Sequence, residues 1–140
     1  MADIEFATPR EAEQAFYDAF EHADLRAMMA VWAESDSVVC IHPLGARLRG
    51  RAAVEAGWKD LFGGGPRLQF SLTEALYTQD ALLAVHLLQE NIRIAGERAL
   101  RPPVVTTNIY QLTDRGWRMI LHHASPAARP AEAPLPTTLH

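Results

Sequence analysis

The chain has 140 residues, a length that suits one domain with its own core. Its formal net charge of −4 argues against binding to nucleic acid or to an anionic membrane, because both need a basic surface. The single cysteine, Cys40, excludes an internal disulfide and a cysteine-rich zinc site. No stretch reaches the ~20 apolar residues of a spanning helix, and no signal peptide is visible. We therefore expect a cytoplasmic protein.

The first third of the chain predicts two helices. Residues 8–11 read Thr-Pro-Arg-Glu, which is typical of a helix start with Thr8 as the N-cap and proline in the first turn. Apolar residues then recur at helical spacing. Asp24 has the position of a second N-cap, and Trp32 belongs to the apolar stripe of the shorter helix that follows.

A short β-rich run over residues 38–41 stops at His42, which precedes Pro43. Proline has no amide hydrogen, so the strand's hydrogen bonding ends there. An unperturbed imidazole titrates near pH ~6.5 and can act as an acid, a base or a ligand. His42 is therefore the first candidate for a chemical role, and a structural hydrogen bond to the next loop is the alternative. Cys40 shares its strand parity and is expected to be a buried thiol.

The rest of the chain changes from helical to strand periodicity. A loop is predicted at 45–50, followed by a third helix over 51–62 that ends at three glycines. Strands are predicted over residues 68–73, 81–94, 104–112 and 117–125, with a hairpin turn at 113–116. Residues 127–140 are rich in proline and are expected to form an extended or disordered tail.

Three helices followed by four long antiparallel strands predict an α+β fold in which the helices cover one face of a curved sheet. A sheet closed on one side by helices forms a cone with an internal pocket. We therefore expect the interior of the cone to be the place where a ligand binds.

Three segments resemble a known family: residues 16–32, residues 36–50, and Gly116-Trp117-Arg118 together with residues 122–126 (His-His-Ala-Ser-Pro). In this order of elements the chain resembles the nuclear-transport-factor-two-like superfamily, and its SnoaL-like and ketosteroid-isomerase-like branches match best. The resemblance covers roughly residues 8–126. It implies a single domain over 1–126, with a cystatin-like α+β barrel made of a cone-shaped antiparallel sheet around three helices. The family hosts isomerases, cyclases, dehydratases, hydrolases and non-catalytic modules, so the fold alone does not specify the function.

The resemblance also implies roles for particular residues. In ketosteroid isomerases the general-base aspartate precedes a Pro-Val-Gly at the end of the first strand; here His42 precedes Pro43-Leu44-Gly45 and takes that position. Asn108 corresponds to the oxyanion-hole aspartate of the penultimate strand, and its amide can donate to an oxyanion. The position of the oxyanion tyrosine falls on Phe16, and Tyr17 is expected to lie off that face.

His122 and His123 are neighbours on a strand, so their side chains face opposite sides of the sheet. The phase that the resemblance implies places His123 on the concave face, where we expect it to be a second polar group of the site. The alternative is a histidine at the sheet rim or in a dimer contact. The residues expected to line the pocket are Phe16, Trp32, Cys40, Trp58, Tyr110 and Leu121.

Two functions follow from these expectations. The first is a cofactor-free isomerase, cyclase or dehydratase that acts by histidine-mediated proton transfer on an apolar substrate with a carbonyl group. In this function His42 is the general base or acid, Asn108 a polar orienting residue and His123 a second polar group. The second is a non-catalytic ligand-binding or dimerisation module of the same fold. Residues 81–94 are predicted to be apolar on both faces, which favours a homodimer through the sheet.

A metal site is the less favoured alternative. It needs at least three convergent ligands, and the chain has no close pair of the His-x-x-x-His kind. His42 and His123 with His86 or Asp36 could supply such a set only through the fold. We therefore expect neither a metal nor another cofactor.

Overall fold

The computed structural model describes residues 5–128. In this part of the chain, three helices and six strands follow one another as α1 (Pro9–His22), α2 (Leu25–Val31), β1 (Val39–Ile41), β2 (Leu48–Arg49), α3 (Arg51–Gly64), β3 (Leu68–Gln79), β4 (Leu83–Ile94), β5 (Val104–Thr113) and β6 (Gly116–Pro126). The strands form one curved sheet in the order β2-β1-β6-β5-β4-β3. The predicted α+β fold is confirmed. Most of the predicted tail, residues 129–140, lies outside the described residues.

Both predicted helix starts are confirmed. Thr8 caps α1 because its Oγ1 accepts a hydrogen bond from the amide of Glu11 at 3.1 Å. Asp24 caps α2 by accepting from the amide of Ala27 at 3.0 Å. These side chains satisfy amides that the first turn of a helix leaves without a partner. Among residues 5–128, no helix has the length and apolar composition needed to cross a membrane.

The sheet differs from the prediction at the edge formed by the short strands β1 and β2. The four long strands are antiparallel neighbours as predicted, whereas β1 pairs with β6 in parallel. Strand β2 lies inside the segment predicted to be a loop and pairs antiparallel with β1. The parallel pairing sets Cys40 opposite His122, so the end of β1 brings His42 beside the last strand.

A β-bulge in β6 determines which of its side chains face the helices. Ile109 lies opposite Leu121, but the next residue of β5, Tyr110, lies opposite Met119. Ile120 is therefore an extra residue without a partner in β5. An extra residue of this kind reverses the alternation of side chains beyond it, because the period of a strand is two.

The bulge makes the predicted orientation of His123 and Leu121 wrong. Met119 is buried on the inner face, as expected, but beyond Ile120 the buried residue is His122. His123 is exposed and Leu121 is partly buried, and the alternation places both on the outer face of the sheet. Leu121 consequently does not line the interior.

The space between the helices and the sheet is occupied largely by aromatic rings. The ring of Trp58 lies 5.6 Å from Phe16 and 4.9 Å from Phe20, and Phe20 lies 4.5 Å from Phe70 of β3. Such edge-to-face and tilted pairs add about 0.5–1.5 kcal/mol each beyond the area that they bury. The part of the cone predicted to be an open pocket is thus substantially filled by its own side chains.

Candidate functional site

Four buried polar side chains, Glu90, Tyr17, Asn108 and His122, form a continuous series of hydrogen bonds that we name the interior chain. The Tyr17 hydroxyl donates to Oε2 of Glu90 at 2.6 Å, and Nδ2 of Asn108 donates to the Tyr17 hydroxyl at 3.0 Å. Oδ1 of Asn108 lies 2.6 Å from Nδ1 of His122. These residues come from β4, α1, β5 and β6, and none is more than 4% exposed. The interior chain therefore crosses the cone from one strand to another within the core.

The hydrogen bonds of Asn108 determine the tautomer of His122. Because Nδ2 of Asn108 donates to Tyr17, its Oδ1 faces His122 and accepts the hydrogen of Nδ1. Nε2 of His122 is then left with a lone pair and acts as an acceptor. Burial, and then the neighbouring imidazoles of His42 and His123, lower the pKa of His122 to about 3. His122 is consequently neutral at physiological pH.

Glu90 is the acidic end of the interior chain. Burial raises the pKa of its carboxyl to about 7, and the hydrogen bond from Tyr17 opposes that rise. The group therefore titrates in the physiological range, far above an ordinary glutamate. Strongly shifted pKa values of buried groups are enriched at functional sites.

His42 follows β1 and lies at the other end of this arrangement. Its ring is 6.0 Å from the ring of His122 and 4.7 Å from that of Trp58, in an edge contact. Burial lowers the pKa of His42, which leaves the imidazole neutral and able to take up a proton. Its Nε2 lies 3.6 Å from Sγ of Cys40. Burial raises the pKa of that thiol to about 12, so Cys40 remains protonated and is no nucleophile.

Trp58, whose ring lies 4.7 Å from that of His42, carries a donor that has no partner in the described part of the chain. Its Nε1 is buried and has no hydrogen-bond partner among residues 5–128. A buried polar group without a partner costs about 1–3 kcal/mol, so such groups are rare and call for an explanation. An acceptor atom of a bound molecule near His42 is one group that would satisfy it.

The structure brings His42 and Asn108 into one region of the cone, but through His122 rather than through His123. Of the residues predicted to line the pocket, all but Leu121 are fully buried: Phe16, Trp32, Cys40, Trp58 and Tyr110. The rings of Phe16 and Trp58 lie 5.0 Å and 5.9 Å from that of His122. These side chains pack around the buried polar groups.

A cleft of about 90 Å³ opens where α1 and α3 end and β3 begins. It is lined by Phe20, Ala23, Leu61, Phe62, Gly65, Pro66, Arg67 and Leu68. Phe20 and Phe62 also contact Trp58, at 4.9 Å and 5.5 Å between ring centroids. Trp58 therefore contacts both the side chains that line this cleft and the ring of His42.

A second set of hydrogen-bonded polar side chains, centred on buried Glu13, lies elsewhere in the cone and was not predicted. Oε1 of Glu13 is 2.8 Å from Nδ1 of His86, and the Tyr77 hydroxyl donates to Oε2 of Glu13 at 3.2 Å. Among residues 5–128, no three histidine, cysteine, aspartate or glutamate side chains come together in a way that could hold a metal ion.

The sequence contains signals for the residues that the prediction missed. Glu13 has helical spacing with Phe16 and Tyr17, and all three are buried, so the expectation that Tyr17 lies off the inner face is wrong. His86 and Glu90 alternate with Ala84 and Leu88 on β4, and this face is buried. The prediction that residues 81–94 are apolar on both faces is therefore wrong for the inner face.

The SnoaL-like domain family matches residues 10–129 of the chain. The chain belongs to the SnoaL-like family. This family is a branch of the nuclear-transport-factor-two-like (NTF2-like) superfamily, so the resemblance stated from the sequence is confirmed. The SnoaL-like cone is a small-molecule-binding fold. No curated protein matches the chain.

Three solved structures place this SnoaL-like chain among its relatives. A proposed calcium/calmodulin-dependent protein kinase type II association domain from Thiobacillus denitrificans is 47% identical, with a TM-score of 0.84 over 89% of this chain and 99% of that one. A proposed dehydratase of the NTF2-like family from Streptomyces avermitilis is 30% identical, with a TM-score of 0.75 over 84% and 92%. A domain of unknown function from Nostoc punctiforme, 17% identical with a TM-score of 0.70 over 86% and 76%, has the cystatin-like fold.

Proposed function

We propose that the protein binds a small, mainly apolar molecule with a carbonyl group, and that His42 moves a proton to or from the carbon beside that carbonyl. Such a reaction is a cofactor-free isomerisation, cyclisation or dehydration. The observation that supports it best is the contact between the neutral, half-buried imidazole of His42 and the ring of Trp58, whose Nε1 has no partner among residues 5–128. The similarity to the Streptomyces avermitilis protein, a proposed dehydratase, agrees with this class of reaction.

The two groups have complementary roles in this proposal. The lowered pKa of His42 leaves a lone pair that can remove a proton at neutral pH. As the proton leaves, negative charge develops on the carbonyl oxygen, and a hydrogen bond from Trp58 Nε1 stabilises it in a site without water. Asn108 holds His122 in position behind His42, so we assign Asn108 an orienting role.

A ligand reaches His42 in this proposal through the cleft between α3 and β3. Phe62 lines that cleft and contacts Trp58, whose ring in turn contacts His42, and both Phe62 and Trp58 lie on α3. Binding therefore requires these rings to change rotamer. The apolar lining of the entrance favours a hydrophobic molecule over a charged one.

The experiment is enolisation of probe ketones in deuterated water. Wild-type protein should speed deuterium exchange at the carbon beside the carbonyl of a cyclic ketone such as 2-tetralone, measured by proton NMR. His42→Ala should slow that exchange by about 10²–10⁴-fold, the usual contribution of a general base. His123→Ala is the matched control, because His123 is exposed on the outer face, and it should exchange at the wild-type rate.

Circular dichroism and urea unfolding of each variant separate a chemical role from a structural one. If His42→Ala is strongly destabilised while exchange per folded molecule is unchanged, His42 is structural and the enzyme proposal fails.

A second candidate function is assembly through the outer face of the sheet. We propose that two copies pair there, because Leu76, Leu83, Leu87 and Val105 are exposed apolar residues of β3, β4 and β5. Single exposed leucines are ordinary, but a cluster on one sheet face is typical of an interface. The 47% identical relative from Thiobacillus denitrificans is itself a proposed association domain.

Light scattering across micromolar concentrations tests this pairing. We expect a mass of twice the chain for the wild type and a monomer for Leu87→Glu. Leu44→Glu is the control, because Leu44 is 92% exposed in the loop after His42 and lies outside the sheet. A monomeric wild type at every concentration would contradict the proposal.

A further inference from the structure

We propose that Glu90 determines, through Tyr17 and Asn108, which ring nitrogen of His122 carries the proton. The position of that proton decides whether Nε2 of His122 accepts a hydrogen bond from a ligand or donates one to it. Glu90 acts through Tyr17 and Asn108 and is therefore a positioning residue. The inference rests on the proposed function only where it concerns a bound ligand, which would either donate a hydrogen bond to His122 or accept one from it. Its basis is the geometry of the interior chain.

In the ionised state of Glu90, every hydrogen bond of the interior chain points toward the carboxylate. A carboxylate can only accept, so the Tyr17 hydroxyl must donate to it at 2.6 Å. The Tyr17 oxygen then accepts from Nδ2 of Asn108, and Oδ1 of Asn108 accepts from Nδ1 of His122. Nε2 of His122 is left as an acceptor, so a ligand would have to present a hydroxyl or another donor.

Protonation of Glu90 adds a donor that the carboxylate lacks, so the same four groups can then take the opposite direction. The carboxylic acid donates its hydrogen to the Tyr17 oxygen, and the hydroxyl turns to donate to Oδ1 of Asn108 after the amide rotates by half a turn. Nδ2 of Asn108 then donates to Nδ1 of His122, which must give up its hydrogen. Glu90 takes one proton from the solvent, whereas His122 exchanges its Nδ1 proton for one on Nε2 with no net change.

Among the four residues of the interior chain, Glu90 is the one whose pKa lies near neutral pH. Glu90 faces Tyr17 of α1 and Tyr110 of β5, and burial raises the pKa of both phenols well above the ordinary value. Leu72 of β3, opposite Glu90, does not titrate.

His122 faces His42 and adjoins His123, and its own pKa of about 3 keeps it neutral while Glu90, with a pKa of about 7, changes charge. From α3 it is contacted by Trp58, which does not titrate.

Nitrogen-15 NMR of histidine-labelled wild-type protein, without any ligand, tests the inference directly. The two nitrogens of a neutral imidazole have distinct pyrrole-type and pyridine-type shifts. We expect the pyrrole-type shift at Nδ1 of His122 at about pH 9, and at Nε2 at about pH 5.5, on either side of the pKa of Glu90. A His122 tautomer that stays the same over this range overturns the inference.

Two variants show whether the interior chain transmits the effect. Tyr17→Phe removes the link between Glu90 and Asn108, so His122 should no longer change its tautomer with pH. Glu13→Gln is the matched control, because it neutralises the other buried glutamate, and it should alter the signals of His86 while the tautomer change of His122 persists. Persistence of the change in Tyr17→Phe, or its loss in Glu13→Gln, contradicts a role for Glu90.

These readouts need no ligand, whereas ketone exchange tests His42. Failure of one proposal is therefore distinguishable from failure of the other.

Discussion

Glu13 and Glu90 are both buried in the cone, but their partners differ. Glu13 on α1 is within 2.8 Å of His86 and 3.6 Å of Arg10, both basic residues. Glu90 on β4 receives its hydrogen bond from the neutral hydroxyl of Tyr17. Burying a carboxylate is costly unless a partner compensates its charge, and otherwise the group is neutralised by binding a proton. Glu13 therefore has a stabilising role, whereas Glu90 can change its charge near neutral pH.

The largest expected effect comes from breaking the pair of Glu13 and His86. His86→Ala should lower the free energy of unfolding by about 3–5 kcal/mol, because it leaves a buried carboxylate without its nearest partner. Urea unfolding followed by tryptophan fluorescence at neutral pH measures the loss. His123→Ala, on the exposed outer face, should change stability by no more than about 0.5 kcal/mol. Equal losses in the two variants would contradict a stabilising contact between Glu13 and His86.

The next effect concerns how stability depends on pH. The pKa of Glu90 is about 7 in the folded protein and 4.5 as its reference value, so its contribution to stability is present at low pH and is lost as pH rises through 7. His122 has the opposite sign: its folded pKa of about 3 lies below 6.5, so stability is lost as pH falls between those values. From pH 6.5 to 4.5 the two contributions oppose each other.

Glu90→Gln removes one of these opposing contributions. Its free energy of unfolding should therefore fall on acidification more steeply than that of the wild type, by about 1.4 kcal/mol per pH unit. The lowered pKa of His42 acts in the same direction as that of His122. Urea unfolding at several pH values between 6.5 and 4.5 measures the slopes. Parallel profiles for the two proteins would show that Glu90 does not bind its proton more tightly in the folded state.

The sequence predicts the features of the fold that depend on neighbouring residues. The N-caps at Thr8 and Asp24, the alternation in β3 and the hairpin before Gly116 are all local, and they are found where predicted. His122 is different, because its orientation depends on Ile120 having no partner in β5. Pairing between strands sets such a bulge, so the alternation within β6 alone gives the wrong face.

The inner face of β4 is also hard to predict from local pattern. His86 and Glu90 are buried where a strand pattern predicts apolar side chains. Their partners on α1, Glu13 and Tyr17, are each 73 residues away in the sequence. Most buried polar groups are hydrogen-bonded, and the partners of His86 and Glu90 become visible only when α1 is packed on the sheet.

The smallest expected effect concerns Arg10, the exposed basic residue near Glu13. Arg10 is the second basic residue near Glu13, but its side chain is 65% exposed, and its guanidinium lies 4.5 Å from the centre of the Tyr77 ring. Solvent screens an exposed ion pair, and an exposed cation–π contact is weak. Arg10→Ala should therefore lower the free energy of unfolding by no more than about 1 kcal/mol.

A double-mutant cycle with Glu13→Gln isolates the contribution of the pair between Arg10 and Glu13. We expect a coupling energy of about 0.2–1 kcal/mol that decreases as salt is added, since salt screens exposed charges. If Arg10→Ala instead costs as much as His86→Ala, the charge of Glu13 is compensated from the surface. Glu13 and Glu90 would then differ in their access to solvent, and the contact with buried His86 would no longer explain the difference between the two carboxyl groups.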